Sequence, residues 1–120
     1  VSGIAPILWD EDRKVDIARI ANATAKLLEC DLELSPSDIL SSDEYIGDRY
    51  GVLTQEGRDA LKLVAETEGI FLDPVYTSKA MAGMIDQIRK GIITKNETVV
   101  FIHTGGLPAL FAYAEDLMLS

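Results

Sequence analysis

The side chains best suited to chemistry lie in two short segments, 73–78 and 103–106, which read DPVYTS and HTGG. Tyr76 and Thr77 supply hydroxyl groups in the first segment, and Thr104 supplies one in the second. A hydroxyl both donates and accepts hydrogen bonds, and a glycine pair allows the backbone to approach a ligand closely. These residue types are suited to binding a small molecule at the places where the chain leaves a sheet.

The same residues also have a plainer interpretation. Gly105–Gly106 can form a tight turn without any ligand, and Tyr76 can be an ordinary half-buried tyrosine. His103 is the only histidine and has no second His or Cys at the spacing of metal ligands, so we predict no metal site and a core or supporting role for it. Cys30, at the end of a predicted helix with no nearby base, is predicted to be a buried apolar residue rather than a nucleophile.

Strands and helices that alternate along the chain position these segments. Apolar runs predict strands at 1–8, 70–72 and 98–103. Helical periodicity and capping residues predict helices from the acidic run Asp10–Asp12 to near Cys30, Thr54 to Gly69, Thr77 or Ser78 to Gly91, and Pro108 to Met118. Each chemical segment therefore follows a strand, at the edge where parallel sheets bind ligands.

Short apolar strands separated by helices indicate an α/β fold, with a mainly parallel sheet of about three strands covered by helices on both faces. We expect residues 1–120 to form a single α/β unit. Within this unit, residues 31–53 lack a clear helix or strand pattern, because helical periodicity is lost there among serines, acids and glycines. We predict a long loop there with at most one short helical turn, and a loop of about twenty residues is more often functional than idle.

Composition excludes several classes of protein. The chain has 120 residues, 48% of them hydrophobic, and a net charge of −9, which favours a globular domain that repels nucleic acid and anionic membranes. It contains no apolar run long enough to span a bilayer. A single cysteine and the absence of a charged-then-apolar leader lead us to expect a cytoplasmic protein.

Three motifs in residues 50–113 are specific enough to suggest a family. They read YG, EGI-x-LDPVYT-x-KAMAGMI and IHTGG-x-PALFAY, and they occur in this order. The segment closely resembles the carboxyl-terminal part of the D-cysteine desulfhydrase and 1-aminocyclopropane-1-carboxylate deaminase family. That family belongs to the fold type II, tryptophan-synthase-β-like enzymes that depend on pyridoxal phosphate.

The resemblance implies roles for five residues. Tyr76 is expected beside the cofactor ring and Tyr50 on the opposite side of the substrate pocket, both as catalytic residues that touch substrate. Thr77 and Thr104 are expected near the pyridine nitrogen of pyridoxal 5'-phosphate, with Gly105 close to the ring. In the intact family the substrate is a small amino acid.

Thr77 and Thr104 also bear on the reaction. The deaminases of the family usually carry Glu and Leu at these positions, whereas the desulfhydrases carry threonines. A carboxylate beside the pyridine nitrogen would strengthen the electron sink that cyclopropane opening requires, and a hydroxyl would not. The resemblance therefore favours β-elimination from D-cysteine, which releases sulfide, ammonia and pyruvate, over the alternative of a deaminase.

Two family features are absent from the sequence. The Schiff-base lysine and the glycine-rich phosphate-binding segment lie far upstream in the family, and neither motif occurs in these residues. Lys79 matches the lysine of the family's DPVYTGKA helix, so a structural or pocket-edge role is expected for it. We therefore expect the chain alone to bind pyridoxal phosphate weakly and to be inactive.

An incomplete active site has consequences for partners. We expect exposed apolar surface that leads to self-association, or pairing with a missing amino-terminal half. Two other classes stay open from the sequence. One is an α/β module that binds a small anion at its glycine turn, and the other is a noncatalytic interaction subunit.

Overall fold

Helices and short parallel strands make up the chain in this computed structural model, which describes residues 1–9 and 12–118. The α/β class predicted from the sequence is confirmed. Within the described residues the strands are β1 (Ser2–Ile4) and β2 (Leu40–Ser42), and the helices are α1 (Arg13–Leu27), α2 (Gln55–Glu68), α3 (Thr77–Arg89), α4 (Ala109–Ala112) and α5 (Ala114–Met118).

The sheet is formed by β1 and β2, which pair in parallel with Gly3 opposite Ser41. The β2 strand lies within 31–53, where a loop was predicted, and a 3₁₀ turn at Pro36–Asp38 precedes it. Arg13 Nε at the start of α1 donates to Ser41 Oγ at 3.0 Å, which fixes α1 against the sheet. A strand of three residues with two serines is too short and polar to be recognised from its pattern.

The predicted strands at 70–72 and 98–103 are not strands in the structure. A strand is defined by backbone hydrogen bonds to a neighbouring strand. Neither segment forms such a ladder within the described residues. The described sheet therefore has two strands instead of the predicted three or so, and these two strands are parallel, as predicted.

The core lies between α2 and α3. Thr54 Oγ1 accepts from the backbone N–H of Gly57 at 3.0 Å and caps α2, and Gly69 ends α2 with a φ of 66°. These are the predicted ends of the helix. Apolar side chains of both helices and the segment between them form the buried cluster Ala60, Val64, Leu72, Met81 and Ala82.

Helix α1 begins after Asp12, the last residue of the acidic run predicted as its N-terminus, and Asp12 Oδ1 accepts from the backbone N–H of Lys14 at 3.0 Å. Residues 10 and 11 of that run lie outside the described residues. Its larger apolar side chains are exposed, and the buried residues of the helix are two alanines. Cys30 follows the helix and is exposed, so the prediction of a buried cysteine is wrong. The apolar stripe of α1 is not covered by the rest of the described chain.

The last predicted helix, Pro108 to Met118, is divided in the structure into α4 and α5. Tyr113 separates them, with φ −104° and ψ 13°, outside the helical range. Its hydroxyl donates a hydrogen bond to the carbonyl of Gly51. No helix in the described part of the chain has the length and apolarity needed to cross a membrane.

Candidate active site

Asp73 organises the turn that begins α3. Its side chain is fully buried and accepts hydrogen bonds from the backbone N–H groups of Val75, Tyr76 and Thr77 at 2.7–2.9 Å. The Thr77 hydroxyl donates a fourth bond at 2.7 Å. Burial opposes ionisation, but these four bonds hold the pKa of Asp73 below its ordinary value. The buried carboxylate therefore fixes the backbone that presents Tyr76.

Thr77 is already engaged by Asp73. Its Oγ1 donates to Asp73 Oδ1 and accepts from the Asp73 backbone N–H, both at 2.7 Å. A hydroxyl has one proton to donate, so the proton of Thr77 is directed at the carboxylate. Thr77 lines the cavity described below, but in this structure its hydroxyl serves the turn.

Tyr50 and Tyr76 meet at the surface. Their hydroxyls are hydrogen-bonded to each other, and their ring centres lie 6.1 Å apart. Each residue is a little under half exposed, at 46% for Tyr50 and 44% for Tyr76. The hydrogen bond with Tyr50 raises the pKa of Tyr76 above its ordinary value. The structure thus brings together the two predicted catalytic tyrosines.

The glycines of the HTGG turn have different surroundings. Both have a positive φ, 92° at Gly105 and 89° at Gly106. A Cβ added to Gly106 would lie 2.6 Å from Asp73 Cγ, whereas one added to Gly105 would meet no atom within 4 Å. Gly106 is therefore required for packing on Asp73, and Gly105 faces open space.

His103 connects this turn to the segment before Asp73. Its Nε2 is 2.8 Å from the carbonyl oxygen of Phe71, and its Nδ1 accepts from the backbone N–H of Gly105 at 3.1 Å. These partners require the neutral tautomer with the proton on Nε2. The ring is exposed rather than part of the core, and it acts as a support for the glycine turn.

A cavity of about 550 Å³ opens beside these residues. Tyr76, Thr77 and Thr104 line it together with the apolar side chains of Met84, Val99 and Phe101. Three of the five predicted site residues, Tyr76, Thr77 and Thr104, therefore line one cavity. The other two lie next to it, since Tyr50 is hydrogen-bonded to Tyr76 and Gly105 follows Thr104 in the chain. No hydrogen bond within the described residues occupies the Thr104 hydroxyl, so it can meet a ligand.

Lys79 does not line this cavity. Its side chain is fully buried, and Nζ donates to the carbonyl oxygen of Ile46 at 2.6 Å. Burial lowers the pKa of Lys79. The structural role expected for Lys79 agrees with this position, whereas the burial itself was not foreseen because lysines are usually on the surface. The signal for Asp73 was visible, since an Asp in a turn commonly accepts from the backbone N–H two residues further on, here that of Val75.

Similarity to known proteins agrees with this geometry. Residues 6–105 match a family described as pyridoxal-phosphate dependent enzymes. The chain also superimposes, with a TM-score of 0.80 and 35% sequence identity, on a crystal structure described as an ACC deaminase homologue. The match covers 98% of this chain and 34% of the other, so the chain spans about a third of the length of that protein.

The α/β fold is therefore that of a fold type II enzyme. The chain belongs to the family of pyridoxal-phosphate-dependent enzymes. In this family the intact enzyme binds pyridoxal phosphate.

The residues of the cavity fit one side of that cofactor. Apolar walls suit an aromatic ring, and Thr104 offers a hydroxyl to a ring nitrogen. None of the described residues that line the cavity is a lysine or an arginine. The ring side of the cofactor therefore fits here, while the lysine and the phosphate contacts of the family are not found at this cavity.

Proposed function

We propose that this chain supplies the ring side of the active site of an enzyme that uses pyridoxal phosphate to eliminate sulfide from D-cysteine. The observation that carries the proposal is the hydrogen-bonded pair of Tyr50 and Tyr76 beside the cavity that Thr104 also lines. When bound, pyridoxal phosphate supplies an electron sink for the charge that develops at the substrate Cα.

The tyrosines are the groups that act on substrate. Both phenols are accessible from the surface and share one hydrogen bond, so a ligand that enters between them can accept a proton or a hydrogen bond from either. The pKa of Tyr76 is raised from an already high ordinary value, so its hydroxyl stays protonated at neutral pH and can act as a donor. We assign the pair to orienting the substrate and assisting proton transfer.

The absence of a carboxylate at the cavity supports β-elimination. The described residues that line it include no Asp or Glu, and the hydroxyl that stands open is that of Thr104. A neutral hydroxyl does not hold a proton on a ring nitrogen as a carboxylate does, so the electron sink is the weaker kind. Elimination from D-cysteine needs only this weaker electron sink, because the substrate has a removable Cα proton and a good leaving group.

Ring opening of 1-aminocyclopropane-1-carboxylate is the second candidate. It is favoured by the 35% identity to the structure described as an ACC deaminase homologue. A comparison of both reactions on the protein expressed from its complete coding sequence, loaded with pyridoxal phosphate, distinguishes the two. We expect faster release of sulfide from D-cysteine, and faster opening of the cyclopropane would refute the assignment.

We also propose that further polypeptide covers the exposed apolar side chains, as an amino-terminal half of the enzyme. Leu27, Leu28 and Phe111, which do not line the cavity, are 84%, 68% and 88% exposed, and such large apolar side chains are usually covered by protein. The 120 residues alone should self-associate in sedimentation experiments and release no sulfide. Co-expression with an amino-terminal half that carries the Schiff-base lysine should restore sulfide release, and a monodisperse monomer would count against the proposal.

A cytoplasmic location is part of the same proposal. Cys30 is an exposed free thiol, which suits a reducing compartment. Fractionation of cells that express the complete protein should recover it with cytoplasmic markers.

A further inference from the structure

Tyr50 lies in the segment 43–54, which connects β2 to α2 and contains neither helix nor strand. Its partner, Tyr76, immediately precedes α3. The two hydroxyls therefore belong to separate parts of the chain, and their contact depends on how 43–54 is held. We call this segment the Tyr50 loop.

The first attachment of the Tyr50 loop comes from α3. Lys79 donates from Nζ to the carbonyl oxygen of Ile46 at 2.6 Å, and both residues are buried, with exposures of 0% and 4%. Lys79 follows Tyr76 by less than one helical turn. The start of the same helix therefore presents one tyrosine and holds the loop that presents the other.

The second attachment comes from the junction of α4 and α5. The Tyr113 hydroxyl donates to the carbonyl of Gly51, the residue directly after Tyr50. Gly51 has a φ of 78°, which favours glycine, and a Cβ added there would lie 3.5 Å from the Tyr113 hydroxyl. The two attachments thus hold backbone carbonyls on both sides of Tyr50.

The choice of a lysine at position 79 indicates more than space filling. A buried ammonium group is desolvated at a considerable cost in free energy, and an apolar side chain of similar length would avoid that cost. What lysine adds is a charged donor to the Ile46 carbonyl, and bonds to charged donors are stronger than those between neutral groups. The side chain therefore fixes the loop at the expense of stability.

We propose that Lys79 and Tyr113 are positioning residues that hold the Tyr50 loop so that the Tyr50 hydroxyl contacts Tyr76. The consequence for turnover rests on the proposed function, because it requires the tyrosine pair to act on substrate. The contact itself does not depend on any reaction. The two statements can therefore be tested separately.

The test uses the protein expressed from its complete coding sequence and two variants, Lys79→Met and Tyr113→Phe. Lys62→Met is the matched control, because Lys62 is exposed on α2 and makes no side-chain hydrogen bond among the described residues. Thermal unfolding shows which variants are folded. Tyr113→Phe removes only a hydroxyl, so it provides a folded variant even where Lys79→Met is destabilised.

The first measurement is the pH at which Tyr76 ionises, monitored by phenolate absorbance. The signal of Tyr76 is isolated by subtracting the titration of the same protein with Tyr76→Phe added. The hydrogen bond with Tyr50 raises the pKa of Tyr76, so loosening the loop should let Tyr76 ionise at lower pH. We expect this shift in both variants and not in Lys62→Met. An unchanged titration in Tyr113→Phe would overturn the proposal.

The second measurement is kcat for sulfide release, with and without Tyr50→Phe. Misplacement of a catalytic group by about 1 Å can cost about 10²-fold in rate, and we expect a loss of about tenfold in each variant. If Lys79 and Tyr113 act through Tyr50, replacing either one should cause no further loss of kcat in a protein that already carries Tyr50→Phe. A further tenfold loss in that background would overturn the proposal. A wild-type protein that releases no sulfide would contradict the proposed function, and the titration would still decide the role of Lys79 and Tyr113.

Discussion

Two regions form the candidate site, and they differ in how they are supported. The start of α3 is well supported: Leu72, Asp73 and Lys79 are fully buried, Asp73 accepts from the three backbone N–H groups of the turn, and Lys79 donates to the Ile46 carbonyl. The stretch 98–118 carries the HTGG turn but contains large apolar residues that are mostly exposed, such as Val100 and Phe111. The second region is therefore held in place by the first, through His103 and Gly106.

The comparison implies that Asp73 supports both regions. Replacing it by Ala removes the acceptor for two buried N–H groups, one part-buried N–H group and the Thr77 hydroxyl proton, and a bond to a charged group contributes about 1.5–3 kcal/mol. We expect Asp73→Ala to lower the free energy of unfolding by about 4 kcal/mol. Denaturant titration measures this, and Asp59→Ala on the exposed surface of α2 should change it by less than about 0.5 kcal/mol.

The dependence of stability on pH provides a further check on Asp73. Because its pKa is lower in the folded state than the ordinary 3.8, its contribution is complete above pH 3.8. It is lost as the pH falls through the lower folded pKa. The difference in stability between the wild type and Asp73→Ala should therefore shrink on acidification below pH 3.8, and an unchanged difference would contradict the role of the carboxylate.

The glycine pair tests how closely the second region packs on the first. Gly105→Ala adds only the strain of a positive φ, about 1–2 kcal/mol. Gly106→Ala adds the same strain and a contact of 2.6 Å with Asp73 Cγ, and such overpacking costs about 1–3 kcal/mol more. We expect Gly106→Ala to be the more destabilising in thermal unfolding. Equal effects of the two changes would show that the turn does not rest on Asp73.

Tyr50→Phe and Tyr76→Phe separate the roles of the two regions in turnover. A positioned proton-transfer group contributes about 10²–10⁴-fold to the rate, so each change should lower kcat by at least about 10²-fold. Because the hydroxyls share one bond, the double variant should lose little more than either single variant. Full additivity of the two losses, measured by steady-state sulfide release, would show that the tyrosines act independently.

The smallest expected effect is at His103. Removing its ring with His103→Ala breaks the link between Phe71 and Gly105, at a cost of about 1 kcal/mol because the site is exposed. The effect should be local. Hydrogen exchange at the Gly105 amide should accelerate while exchange in α2 stays unchanged, and protection lost throughout the chain would mean that the first region also depends on His103.

Local features of the fold were predictable from the sequence, and non-local ones were not. Thr54 and Gly69 marked the ends of α2 because caps depend on adjacent residues. The strand β2 was missed because its pairing with β1 is set by a distant segment. The segments at 70–72 and 98–103 had the pattern of strands, but pattern alone does not supply a pairing partner.

The same division applies to the candidate site. Tyr76 and Thr104 could be named from their motifs, and the structure places both at one cavity. The burial of Lys79 and the bond from Tyr113 to Gly51 depend on contacts between distant residues. The motifs therefore pointed to residues that line the cavity, whereas most of the contacts that hold those residues in place were found only in the structure.

The way in which Asp73 is stabilised has a consequence for behaviour in salt. Its partners are backbone N–H groups and one hydroxyl, and it forms no ion pair within the described part of the chain. Dissolved ions screen exposed charge pairs such as Arg19–Asp16 and Lys90–Asp86, but they have little access to a fully buried carboxylate. The turn that presents Tyr76 should therefore keep its shape at ionic strengths that weaken both surface pairs.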